Sequence, residues 1–459
     1  MNHSRSFSRT NILVYIYILF LPIIFPHPAH SGEQRKLSLT LTDAVMMALD
    51  KNRGLMASGK YAEVAQAHAD ALTGRLLPII SASYSASRTD SPINVFGSKL
   101  LQKRFSASDF AITRLNNPDT INNYHTDISV TVPVYQGGAL WAGKRAGTEN
   151  AAVARWQYQA DLQATILRVV ETFAQLKQAI AQRESSAQAL KAARSHLVNT
   201  QALERRGIAI ASDVMDVRAH ALEAEVVLQS ADHQVAAMRD RLRLLLGIGP
   251  QTPLMATGNP GLTLPARNIT DWLENAEQNR PELKEEKHRL EAAHAGVDAA
   301  RAPFRPSIAL QGVQEWNSST ASPRNGNITL AAELRFNFFS GGSDRARLQA
   351  AEAEKEALQL TLAEMGQRVR NEVQAAWRNL EEAKTRIVAS EQVLQQSLES
   401  LRIRKLREQQ GLERTSDVLD TQSHADHARA KAIRARYALI IAKARLLAAA
   451  GQLTPEVIR

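Results

Sequence analysis

Gly207-Ile-Ala-Ile-Ala-Ser212-Asp213-Val214-Met215-Asp216 and Gly411-Leu-Glu-Arg-Thr-Ser416-Asp417-Val418-Leu419-Asp420 are two versions of one ten-residue stretch. Each lies between two long helical patterns and so predicts the elbow of a helix–turn–helix hairpin. Gly207 and Gly411 end the first helix, where a left-handed residue without a Cβ costs little. Ser212 and Ser416 are expected to cap the second helix, with Asp213 and Asp417 in its first turn facing the positive end of the dipole. The elbows stand 204 residues apart (411 − 207), and Gly137-Gly138 recurs at Gly341-Gly342, and Gly247 at Gly451, with the same spacing. A constant offset across two helices and their turn is an internal duplication. The expected division is a signal peptide over 1–31, a first repeat over 32–250, a linker over 251–268 and a second repeat over 269–459.

Composition narrows the class. Aromatic residues make up 5% and charged residues 22% of 459 residues, with Ala, Leu, Gln, Glu, Arg and Lys dominating long stretches. That is the make-up of long helices and coiled coils. No cysteine is present, which excludes disulfides, thiolate metal sites and a lipid anchor on sulfur. The formal charge is +10, but Lys and Arg are interleaved with acids and form no block of the kind nucleic acid attracts. Arg5 and Arg9 precede an apolar run from Ile12 to Phe25 and a small-x-small pattern at Ala29-His30-Ser31. This predicts a secretory signal peptide cut after Ser31. A membrane anchor is the alternative, and the run is short for a bilayer span.

Along the chain, a helical pattern from Leu41 to about Leu77 is stopped by Pro78. The period then falls to two: Ile80, Ala82, Tyr84 and Ala86 alternate with Ser81, Ser83, Ser85 and Ser87, which predicts a strand with one apolar face. A polar stretch over 88–123 is expected to be loop. A second strand over 124–134 follows, then a helix from Gly138 to about Arg206 whose Leu162, Ile166, Val169, Phe173, Leu176 and Ile180 make a heptad-like seam. A shorter helix over 213–246 and a Pro- and Gly-rich linker end the first copy. The second copy repeats the order, with a helix over 271–301, strands near 308–316 and 328–338, a long helix to the elbow and a last helix to Ala450. Its first helix and strand align at an offset of 228 (306 − 78), so the first copy carries 24 more residues in its strand-to-strand connection.

Length then constrains shape. The helix after each Gly-Gly pair is about 100 Å long, and its flanking helices about 50–55 Å each. Two short helices end to end match one long one, which predicts a rod with strands at one end and elbows at the other. Strands of about ten residues suit a tilted bilayer crossing. Four cannot close a barrel, and open edges are not tolerated in lipid. Three protomers would supply twelve strands around a lumen. The expected fold class is mostly α, a long helical barrel or coiled-coil tunnel, plus four strands per protomer contributing to a twelve-stranded trimeric membrane β-barrel.

The duplicated helix–strand–loop–strand–helix unit, the Pro133-x-x-x-Gly137-Gly138 motif and the Gly-x4-Ser-Asp-Val-x-Asp elbows together resemble the TolC-like outer-membrane efflux proteins, over essentially the whole mature chain. The resemblance implies a homotrimeric channel-tunnel in the outer membrane of a Gram-negative bacterium, with its helical barrel in the periplasm. It further implies contact with outer-membrane lipid, a periplasmic adaptor (membrane fusion) protein and an inner-membrane pump. It implies passive export in efflux or type I secretion, with no enzyme activity, cofactor or nucleic-acid partner. In that family, acids at the second-copy tip constrict the tunnel, and Asp417 and Asp420 match those positions. Asp213 and Asp216 extend the pattern to the first copy, a departure from the family. A second departure is Glu413, where the family has a basic residue. Helix capping alone is the competing account of Asp213 and Asp417.

Asp216 and His220, and Asp420 and His424, are spaced i, i+4, with Glu223 and His427 a turn further on. On a lumen-lining face they could bind a divalent cation or sense pH; a solvated wall explains them equally well, and no metal site is assigned. Trp141, Trp156 and Tyr135 are candidates for an interfacial aromatic belt. The rival to the export duct is a periplasmic coiled-coil adaptor or scaffold with its strands in a soluble sheet. A hydrolase finds no support, because no Gly-x-Ser-x-Gly, Walker loop or His-Glu-x-x-His occurs.

Overall fold

The computed structural model describes residues 37–458, so the expected signal peptide over 1–31 lies outside the described residues. The order is β1 (Leu37–Leu39), α1 (Leu41–Lys51), α2 (Arg53–Gly74), β2 (Ile79–Thr89), α3 (Pro92–Leu101), α4 (Ile112–Asn116), β3 (Ile121–Gln136), α5 (Ala139–Arg205), α6 (Ala211–Leu245), β4 (Leu254–Ala256), α7 (Ile269–Asn279), α8 (Pro281–Arg301), β5 (Ser307–Ser318), β6 (Gly326–Arg335), α9 (Ser343–Gln409) and α10 (Thr415–Ala449). The two long helices each have 67 residues, and the helices after the elbows each have 35. Helix α5 packs on α2 and α8 toward the strands and on α6 and α10 toward the elbows, while α9 packs on α8 and α10.

The expected single helix over 41–77 is two helices. Asn52 breaks it by taking an extended backbone (φ −67°, ψ 113°) while its side chain accepts from Leu55 N–H. The apolar spacing runs on across this break, so periodicity does not reveal it. The helix expected over 271–301 is likewise broken at Arg280, and here the signal was present: a residue before proline avoids the helical region. The two breaks are equivalent contacts. Asn52 Nδ2 donates to Leu245 O at 2.8 Å, and Arg280 Nη1 donates to Ala449 O at 3.0 Å. Each satisfies a carbonyl that the end of α6 or α10 leaves without a helical partner. Around these breaks lies the main core, with Ile166, Val169, Phe173 and Leu176 of α5, Val369, Val373 and Leu380 of α9, and Trp272 of α7. The linker is not featureless, since β4 pairs in parallel with β1.

The four longer strands form one sheet in the order β2-β3-β5-β6. Its register separates two faces. On one, Ile80, Val130, Gly312 and Leu330 align in a row, followed by Ala82, Ile128, Gln314 and Ile328. On the other, Ser81, Ser129, Val313 and Thr329 align, followed by Ser83, Asp127, Glu315 and Asn327. The apolar face ends in Tyr84, Tyr124 and Trp316 at its outer end. At its inner end a bulge between Pro133 and Tyr135 turns Tyr135 to the same side as Ile308. From Ile308 to Trp316 is about 26 Å of strand, the height of a barrel's apolar band with aromatic girdles. Strand β6 stops at Arg335, short of the expected 338, and exposes Phe338 and Phe339 next to this inner row. Trp141 is exposed there, whereas Trp156 lies under Lys284 Nζ, 4.5 Å from its ring, and belongs to the helical packing.

The stretch expected to be loop over 88–123 contains α3 and α4 and folds against the polar face. Phe105 makes edge-on contacts with Phe96 and Phe110. Gln102 Nε2 donates to Asn122 O at 2.9 Å and to Asn123 Oδ1 at 2.8 Å. Beneath this insert Asn317 is 0% exposed, although most of the sheet is open.

Two predictions follow from this architecture. Gly411 and Gly451 both have positive φ, but a Cβ at Gly411 meets nothing, whereas one at Gly451 would sit 2.7 Å from Asn279 C. Gly411→Ala is expected to cost about 1–2 kcal/mol of left-handed strain, and Gly451→Ala about 3 kcal/mol or more. Urea unfolding followed by helical circular dichroism reads both, and equal shifts would contradict the close approach. In the insert, Lys99 above all, then Ser106, holds the Asp109 carboxyl down from 3.8 to about 2. A depressed acid adds stability above its unfolded pKa and loses it as pH falls through the folded one. Between those two values pepsin should therefore cut the insert faster in Lys99→Ala than in wild type; equal cutting would count against the pair.

Candidate functional site

Both elbows close in the same way. With φ +72° at Gly207 and +73° at Gly411, Ile208 N–H reaches Leu203 O at 3.0 Å and Leu412 N–H reaches Arg407 O at 2.9 Å. These are the helix-ending bonds expected of a glycine stop. Gly137, Gly138, Gly341 and Gly342 also have positive φ, at the strand-to-helix turns. The expected serine caps are not found. Helix α6 starts at Ala211 and α10 at Thr415, so Ser212 and Ser416 lie inside the first turn. In the first copy the cap comes from Asp213, whose Oδ2 accepts from Ile210 N–H at 3.1 Å. An acid three residues past the cap position reaches back to that donor, whereas the serine, already inside the first turn, is past the position from which a side chain caps.

The four acids thus differ. Asp213 is engaged as a cap and half-buried; Asp417 is half-buried without such a bond. Asp216 and Asp420 are exposed, and their side chains take no hydrogen bond or ion pair among the described residues. One turn further, His220 and Glu223 of α6 line a groove with Asp426 and His427 of α10, floored by Ser185 and Ser186 of α5. His424 is exposed and does not line this groove. Among the described residues no three acids or histidines come together as a metal-holding group.

Several charged contacts at the tip escaped sequence reasoning. Glu413 accepts from Arg404 Nη1 and from Arg407 Nε, both at 2.8 Å. His196 Nε2 of α5 lies 3.0 Å from Glu408 Oε1 of α9, and both side chains are largely covered. Lys405 Nζ donates to Gln422 Oε1 at 2.8 Å, and burial lowers its pKa against the pull of Asp426 and Glu408. His196 and Glu408 are 212 residues apart, a separation at which no spacing rule operates. Arg404, Arg407 and Glu413 are near in sequence, but only the glycine turn folds them back on one another.

An apolar band between aromatic rows, a polar opposite face, strands left open for partners and a helical rod with an acidic tip define an outer-membrane exit channel. The chain belongs to the outer membrane efflux protein family, whose profile matches residues 44–248 and 272–452. It is 26% identical to protein CyaE of Bordetella pertussis over 343 residues, covering 73% of this chain and 72% of that one. It is 22% identical to the alkaline protease secretion protein AprF of Pseudomonas aeruginosa over 424 residues, 91% of this chain and 85% of that one. Its fold matches the crystal structure of the outer membrane protein VceC from Vibrio cholerae with a TM-score of 0.77 at 19% identity, covering 90% of this chain and 96% of that one. The protein is an outer-membrane channel of a Gram-negative bacterium with a periplasmic helical barrel, and the adaptor or scaffold alternative is set aside. Members of this family work as trimers with an adaptor and an inner-membrane pump.

The His196–Glu408 pair joins the long helices of the two copies close to the tip. Glu408→Ala removes that joint, and trypsin should then cut near Arg404–Arg407 faster in the assembled protein than in wild type. An unchanged cutting rate would show that the pair does not hold the hairpins together.

Proposed function

We propose that the chain is the passive exit duct of a tripartite efflux or type I secretion assembly, closed at its periplasmic tip by Asp417 and Asp420 of three protomers. Asp216 joins them as a free acid, and Asp213, already spent as a helix cap, contributes least. The observation that carries this reading is the position of Asp216 and Asp420: exposed, unpaired and one turn past each elbow, at the end of the rod remote from the sheet. Six carboxylates from Asp417 and Asp420 around a narrow axis favour cations and repel one another unless screened. The same duct needs no catalytic group, and none is proposed. His220 and His427 act on this reading as groove-lining polar groups, and His424 as part of the solvated wall. Residues 32–250 and 269–459 act as two copies of one hairpin-and-strand unit joined by 251–268. The glycines Gly137, Gly138, Gly341 and Gly342 serve as the hinges between barrel and tunnel, and Gly207 and Gly411 as the tips. Cargo is chosen by the pump; the adaptor and pump that meet this tip are partners of the same kind as the family's.

The test is single-channel conductance in a planar bilayer, wild type beside Asp417→Ala/Asp420→Ala. Small openings in wild type that enlarge several-fold in the variant are expected, because removing six like charges and their bulk widens the constriction. Equal conductance would move the constriction away from these acids.

A further inference from the structure

The second elbow carries a charged clamp that the first does not. Glu413 is 14% exposed and is held by Arg404 Nη1 and Arg407 Nε. The residues 204 positions earlier are Thr200, Leu203 and Ala209, which can form nothing similar. The other cations on the last turns of α9 are committed as well: Arg402 Nη2 lies 2.7 Å from Glu399 Oε1, and Lys405 donates to Gln422. Of the cations at this elbow Lys405 and Arg414 make no ion pair among the described residues, and Lys405 is held by the neutral Gln422. Arg407 and Asp417 stand five residues to either side of Leu412 on opposite arms of the hairpin. Among the described residues neither Arg404 nor Arg407 pairs with Asp417 or Asp420; both are held by Glu413 instead.

We infer that Glu413 is a positioning residue for the ion selectivity of the channel: it holds Arg404 and Arg407 on the outside of the turn and so keeps Asp417 and Asp420 unneutralised. The inference rests on the reading of those two acids as the constriction. Its physical content is a choice of partner. Arg404, Arg407 and Arg414 share one elbow with Glu413, Asp417 and Asp420, and Glu413 offers one oxygen to each of Arg404 and Arg407 in charge-assisted bonds. Left without that acceptor, these two arginines turn toward Asp417 and Asp420, because Glu408 is already matched by His196. An acid at this position therefore protects the field of the gate, whereas the first copy has Thr200 and Leu203 at the positions of the two arginines and Ala209 at that of the acid.

The experiment is the zero-current potential of the assembled channel across a KCl gradient, which reports the cation-over-anion permeability ratio. Wild type is expected to be cation-selective, and Asp417→Asn/Asp420→Asn to lose that preference. Glu413→Gln should lower the ratio by about twofold or more as the freed arginines neutralise the acids. Glu413→Asp should restore it, and so should Arg404→Gln/Arg407→Gln added to Glu413→Gln, which a role in elbow shape alone would not produce. Arg404→Gln/Arg407→Gln with Glu413 intact should raise the ratio, because a third acid is then left free, and this variant tests the inference even if Glu413→Gln does not assemble. Should Glu413→Gln keep the wild-type ratio while Asp417→Asn/Asp420→Asn lowers it, the clamp inference is overturned and the gate stands. A fall in the arginine double variant would also overturn it. No change in the aspartate variant would remove the gate and the inference together.

Discussion

Unpaired backbone groups in hydrocarbon are the constraint on which everything else in this molecule depends. The sheet ends in β2 on one side and β6 on the other, each with a row of amides and carbonyls that no strand among the described residues satisfies. In lipid each such group costs several kcal/mol. Its apolar face of Ile80, Val130, Ile128, Ile328 and Leu330 is equally unsuited to water, since those side chains stand together as one exposed patch. A bilayer accepts the face and further protomers accept the edges. Membrane insertion and oligomerisation are therefore one requirement, and the helical rod inherits its tubular arrangement from the closed ring above it.

The rod is built from near-equal halves, and along most of its length the halves are treated alike. Both long helices have the same length, both elbows use the same glycine stop, and Asn52 and Arg280 place different side chains on equivalent carbonyls of α6 and α10. That equivalence is informative because the chemistry differs. An amide in one copy and a guanidinium in the other solve the same problem, an orphan carbonyl at a helix end beside a break in its neighbour. The halves part company at the tip. Only the second copy has the Glu413 clamp and presents Glu408 to His196 of the other long helix. A near-symmetric scaffold thus carries an asymmetric charge pattern at its tip.

What could be read beforehand divides along physical lines. Strand faces were legible because a period of two fixes them residue by residue, so the Ser81–Ser87 and Ile80–Ala86 alternation survived unchanged into two faces of the sheet. The elbows were legible because a left-handed glycine leaves a local mark. The break at Asn52 was not, since the apolar spacing that binds α1 and α2 to α5 continues through it; the break at Arg280 carries its mark in Pro281. The insert over 92–116 escaped because its order comes from Gln102 reaching Asn122 and Asn123, not from its own periodicity. The bulge at Pro133–Tyr135 escaped for the same reason, as register belongs to a pair of strands and not to one.

Residue order alone encodes the duplication, the alternation of helix and strand, the lengths that make a rod, and the four acids after the two elbow glycines. All of these rest on local backbone preference and on which face of an element is apolar, and both are written into neighbouring residues. Which charges are spent depends on how the folded helices meet. Asp213 is a cap, Glu413 is held by two arginines, Glu408 is matched by a histidine from the other copy, and Asp216 and Asp420 are left free. Electrostatic partners are chosen by distance through space after the chain has folded, and at these separations sequence spacing carries no record of that distance.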